Sequence, residues 1–153
     1  MRFRVAEERK LSNAHSPFRV IEQSGREVGW INRFLDQQRV RGVADATLRS
    51  YAHDLLHFLR WWVTVHKTAA ITKEALTEST FLDYIRGQVD QHPAPAAASV
   101  NRRVGTTERA MRLQFPDSPP LLAPGFQHWY WRQSRLGYGR LRPALTQLRV
   151  KTP

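Results

Sequence analysis

The chain has 153 residues, no cysteine, 41% hydrophobic and 24% charged residues, and a formal charge of +11 from 24 Lys and Arg against 13 Asp and Glu. That length suits one domain of ordinary size with appendages, and the apolar content, five tryptophans included, is enough to bury a core and excludes wholesale disorder. The missing cysteines exclude disulfides, thiolate zinc sites and cysteine nucleophiles, while no run approaches the ~20 apolar residues of a membrane span and the opening has no signal-peptide pattern, so a cytoplasmic chain without membrane contact is expected.

Residues 1 to 16 mix charge signs without a sustained period and read as an arm. Residues 18 to 22 and 26 to 28 are short extended runs flanking the turn at Gly25, which predicts a small hairpin. From Trp30 the spacing of Ile31, Phe34 and Leu35 is helical, and Gly42 is a stop signal. Asp45 offers a cap for a second helix, in which Leu48, Ala52, Leu55, Leu59 and Trp62 repeat at three and four residues. Thr77 can cap a third, with Phe81, Leu82, Ile85 and Val89 as its apolar side, and the prolines at 93 and 95 then break the chain. The fourth helix is expected to begin near Ser99, to carry Val100, Val104, Met111 and Phe115 on one side, and to stop before Pro116. The expected organisation is an arm over 1–27, a four-helix domain over 28–116 and a basic, aromatic tail over 117–153.

The charge is unevenly spread along this pattern. Residues 45 to 117 hold nine bases and eight acids, whereas 118 to 153 hold six bases and no acid. An acid-free basic segment points to a polyanionic partner, nucleic acid above all, although an ordinary solvated surface gives a similar balance. The aromatic run from 126 to 132 could stack on nucleic acid or pack against protein.

Two blocks resemble a known family. Phe34, Leu35, Gly42, the stretch from Thr47 to Tyr51, Leu55 and the stretch from Phe58 to Trp62 form the first; Ser99, Val100, Asn101, Arg102, Arg103 and Val104 with Arg109 form the second. Together they are similar to the SAM-like core-binding domain that precedes the catalytic domain in tyrosine recombinases of the phage-integrase type, over roughly residues 18 to 115. Where the family often has a capping serine this chain has Ala44, which leaves the cap to Asp45. The resemblance implies a mainly α, four-helix domain with a short N-terminal hairpin and an irregular tail, which grips double-stranded DNA as half of a clamp during DNA integration and recombination, beside other recombinase subunits. It also implies that the chemistry belongs to the family's other half. The chain is therefore expected to be non-catalytic, with no cofactor and no small-molecule substrate.

At about 100° per residue the fourth helix turns Arg102, Thr106 and Arg109 away from its apolar side, and the second opposes Ser50, His53, His57 and Arg60 to its own, with Thr47 and Arg49 near its N-terminus. The expected DNA contacts are Thr47, Arg49, Ser50, His53, Arg60, Arg102, Arg103, Thr106 and Arg109; solvated helix faces are the alternative reading. Gly105 on the fourth helix either weakens it or makes room for a phosphate. His57 and Arg60 match the family's His-x-x-Arg pair but fall inside the second helix, upstream of the family's catalytic region, and read as coincidence. Tyr130 and Tyr138 lack the cluster of positive donors a tyrosine nucleophile needs. His53 and His57 share a metal-compatible spacing without a third ligand, so no metal site is expected. Two other functions remain in view: a helical interaction module that holds a recombinase through the residues from Trp129 to Trp131, and a small helix-turn-helix regulator, against which the long gaps between helices argue.

Overall fold

The computed structural model describes residues 1–9, 12–119 and 121. Its elements run β1 (Phe3–Glu7), β2 (Phe18–Glu22), α1 (Gly29–Val40), α2 (Asp45–His66), α3 (Glu78–Val89) and α4 (Ala97–Gln114), a mainly α chain with one short antiparallel strand pair at its start. Two compact units share them: Met1–Ala70 with Arg109–Pro116, and Ile71–Glu108 with the described residues after Pro116.

In the first unit one face of the strand pair closes on α1 and α2. Phe3, Phe18 and Val20 join Ile31, Phe34, Leu35, Leu48, Ala52, Leu55, Leu56, Leu59 and Ala110 in a single buried cluster. Burying a leucine or phenylalanine fully stabilises by about 1.5–3 kcal/mol over leaving it exposed, so the leucine ladder of α2 is the chief source of this core. The hairpin differs from the expected one. The partner of β2 is β1, in a register from Phe3 opposite Glu22 to Glu7 opposite Phe18, while residues 26 to 28 add a single bridge from Glu27 to Ile21. The expected arm thus contains a strand whose Phe3 is buried. Its alternation spans only a few residues and its pairing crosses a long loop, so no local period announces it.

Side chains tie the strand pair to α1. Asn32, 2% exposed, donates from Nδ2 to the Val20 carbonyl (3.0 Å) and accepts the Val20 N–H on Oδ1 (2.8 Å). Arg19 donates to Asp36 Oδ1 at 2.8 Å and to Glu27, and Asp36 also accepts the Ser16 N–H. Burial pulls the Arg19 guanidinium down, but the hydrogen bonds and charges of Asp36 and Glu27 outweigh it and leave its pKa above the ordinary arginine value.

Helix ends follow local chemistry, with one exception. Gly42, at a positive φ of 88°, closes α1 as the sequence predicts: its N–H bonds the Arg39 carbonyl and the Val43 N–H the Gln38 carbonyl, the paired bonds of a Schellman stop. The exception is Asp45. The residue at the N-cap position is Ala44, with no side-chain cap, and Asp45 lies in the first turn of α2, where it takes Arg39 and, at 3.5 Å, Arg9. An aspartate in the first turn is favoured by the helix dipole and needs no capping geometry.

At the far end of α2, Phe58 and Trp62 are fully buried, Trp62 donates from Nε1 to the Ala70 carbonyl at 3.1 Å, and His66 stacks on its ring at 3.8 Å.

In the second unit Thr77 caps α3 by accepting the Thr80 N–H, as expected. α3 buries Phe81, Leu82, Tyr84, Ile85 and Gln88, while Val89 is half-buried. α4 begins at Ala97, two residues before the expected start, and buries Val100 and Val104 in this unit.

Candidate nucleic-acid interface

On α2 the helical period that buries Leu48, Ala52, Leu55, Leu59 and Trp62 turns Arg49, Ser50, His53 and Arg60 to the outside, and all four are exposed; Thr47 and His57 are half-buried. The N-terminus of this helix is less open to an anion than expected, because the Asp45 carboxylate already sits in its first turn. Arg60 is exposed and donates to the Phe3 carbonyl of β1 at 2.9 Å.

α4 divides the remaining expected residues. Arg102 is exposed, and Arg103 is half-buried and donates to Gln88 Oε1 at 3.2 Å within the second unit. Thr106 does not belong to an exposed face, since it is fully buried. The helical wheel sets it beside Arg102 and opposite Val104, so α4 is covered on its polar side at this level; a threonine reads as polar in a pattern, yet it is small enough to be enclosed. Gly105 is half-buried, and a Cβ added there would meet nothing within 4 Å, so space is open beside it.

Arg109 is exposed and belongs to the first unit. Its guanidinium carbon lies 5.0 Å from the centroid of the Tyr51 ring, which brings the end of α4 against the N-terminal half of α2, next to Ser50 and one turn from Thr47. Tyr51 is half-buried, with Phe34 beneath it at 6.0 Å between centroids. The sequence names Tyr51 as part of the block from Thr47 on which the resemblance rests; its contact with Arg109 was not legible, because the two lie far apart in the chain.

What sets Arg109 apart is the manner of its holding. Arg9, Arg19, Arg39 and Arg86 pair with carboxylates, and Arg33, Arg60 and Arg103 donate to amide or carbonyl oxygens. Arg109 is held instead over the face of the Tyr51 ring, and no carboxylate among the described residues is within ion-pair distance of it. The N–H donors of its guanidinium remain available. It can donate charge-assisted hydrogen bonds to phosphate oxygens, as can the exposed Arg49 on α2.

Among the described residues no group of three or more His, Asp or Glu side chains could hold a metal ion, and no helix is long and apolar enough to cross a membrane. The aromatic run from 126 to 132, Tyr130, Tyr138 and the basic tail lie outside the described residues. Fold and face together define a mainly α chain that presents arginines on helix surfaces. No family model matches it, and no curated protein or solved structure does either.

Proposed function

We propose that the chain binds double-stranded DNA in the cytoplasm as the core-binding part of a site-specific tyrosine recombinase, acting in DNA integration and recombination beside other recombinase subunits and without cutting DNA itself. The observation that carries this reading is Arg109 of the first unit, exposed and seated on Tyr51 of α2, the helix on which Arg49 and Ser50 are also exposed. These residues coincide with the Thr-to-Tyr block and the fourth-helix arginine on which the resemblance rests. The net charge of +11 favours the same partner. Contacts of this kind position a protein on the phosphate backbone; base reading would fall to other side chains.

Fluorescence anisotropy of the whole chain with a labelled duplex tests the proposal. Binding is expected, with log affinity falling against log salt by about 0.9 per phosphate engaged. The absence of binding at low salt, or binding indifferent to salt, overturns it. Incubation with suicide substrates is expected to trap no covalent protein–DNA adduct; an adduct overturns the non-catalytic part of the proposal.

A further inference from the structure

We infer that Tyr51 is a positioning residue whose ring aims the Arg109 guanidinium at a phosphate of the bound nucleic acid, an inference that rests on the DNA-binding reading above. A long arginine on an exposed helix face ordinarily samples many rotamers, and fixing one of them on binding costs entropy. A carboxylate would fix it at the expense of the charge and of two donors. An aromatic face fixes it and leaves both intact, because the attraction uses the ring's π density against the plane of the cation and not its edge. Here the ring is itself held: Tyr51 is half-buried on α2 and rests on Phe34, a core residue of α1 that is 1% exposed. The seat is therefore built from three helices of the first unit, α1 supporting, α2 presenting and α4 supplying the cation. Arg9 also meets a ring, that of Phe18 at 5.9 Å, but it is spent on Glu7 and Asp45. Of these two arginines, Arg109 is the one with no carboxylate partner among the described residues.

The test combines a measurement without DNA and one with it, on the full chain. In the free protein the Arg109 side-chain resonances are expected to be shifted upfield by the ring, a shift kept in Tyr51→Phe and lost in Tyr51→Leu. In anisotropy titrations Arg109→Ala is expected to bind duplex DNA about tenfold more weakly, as for loss of one hydrogen-bonded charge. Tyr51→Leu is expected to match it, the double variant to be no weaker than either single one, and Tyr51→Phe to bind like the parent. The salt slope should flatten by about 0.9 in both Arg109→Ala and Tyr51→Leu. A folded Tyr51→Leu protein that binds with parental affinity and slope overturns the positioning role while the DNA-binding reading stands; a parent that does not bind overturns that reading. Should Tyr51→Leu lose its helical circular dichroism, Arg109→Lys decides from the other partner. Lysine keeps the charge but not the plane that stacks, so it should bind nearly as weakly as Arg109→Ala, and parental binding by Arg109→Lys would mean that charge alone suffices and the seat has no function.

Discussion

At the corner where β2 meets α1, the Arg19 side chain is only 8% exposed and its edge is taken by Asp36 and Glu27; on α4, Arg109 is exposed and touches the face of a tyrosine. The same cation serves structure in the first place and remains available in the second, and the difference lies in whether carboxylates or an aromatic ring hold the guanidinium. Charge counting along the chain cannot see this. Several arginines that contribute to the +11 are consumed in holding the first unit together, and the reading of a binding face has to rest on those that are not.

Breaking the first of these arrangements should have the largest effect. Asp36→Ala leaves Arg19 buried with Glu27 as its one carboxylate partner and the Ser16 carbonyl at 3.4 Å, and strips the Ser16 N–H of its acceptor. A loss of about 3 kcal/mol or more in urea unfolding is expected, from the usual cost of removing one partner of a buried pair. A loss below about 1 kcal/mol would mean that the corner relaxes and that Arg19 is no more structural than Arg109.

Arg49→Ala combined with Arg109→Ala should do the reverse. Stability is expected to stay within about 0.5 kcal/mol, because both side chains are exposed, while the salt slope of DNA binding flattens by about 1.8 for two phosphate contacts. Melting curves and anisotropy at several salt concentrations separate the two quantities. A destabilised double variant would blur the contrast with Arg19.

Asp45→Asn should give a smaller effect of mixed sign. Losing the pairs with Arg39 and Arg9 costs about 0.5–1 kcal/mol, since both are partly exposed, yet it frees Arg39, while Arg9 keeps Glu7, and removes a negative charge near the start of α2, so it should tighten DNA binding. Weaker binding would show that Asp45 organises the face and does not merely mask it.

The smallest expected effect is none. The Arg19 pKa is raised in the folded protein, so its contribution is fully present below the unfolded value and is lost only as pH rises through the folded one, in strong alkali. The stability difference between the parent and Arg19→Met should therefore hold constant from about pH 6 to 9. A slope in that window would assign the pH dependence to other groups at the corner.

The parts of this molecule that were legible in the sequence are those decided by neighbours in the chain. Leu48, Leu55, Leu59 and Trp62 recur at helical spacing and are fully buried; Gly42 stops α1 and Thr77 starts α3 by chemistry contained within a turn. What was not legible depends on a partner far along the chain. β1 is a strand because β2 is there to pair with it, and Asp45 is an ion-pair partner because Arg39 and Arg9 reach it. Thr106 is buried on the polar side of α4, where a helical wheel can state only an angle and not what covers it. The exposed face of α2 followed from periodicity through Arg49, Ser50 and His53, but the commitment of Arg60 to the Phe3 carbonyl and the seating of Arg109 on Tyr51 did not.

The Asn32 amide has a consequence for how this protein meets its own copies. A two-stranded sheet ordinarily offers two open rims on which a stray strand can dock and seed aggregation. Along the outer rim of β2 every outward backbone group is already taken: Ser16 Oγ serves the N–H and carbonyl of Phe18, Asn32 serves both groups of Val20, and Arg26 and Gly25 serve the N–H and carbonyl of Glu22. Side chains and a turn thus end the sheet where a third strand would otherwise add. Any strand exchange between molecules is confined to the β1 rim, where the Arg60 guanidinium already covers the Phe3 carbonyl.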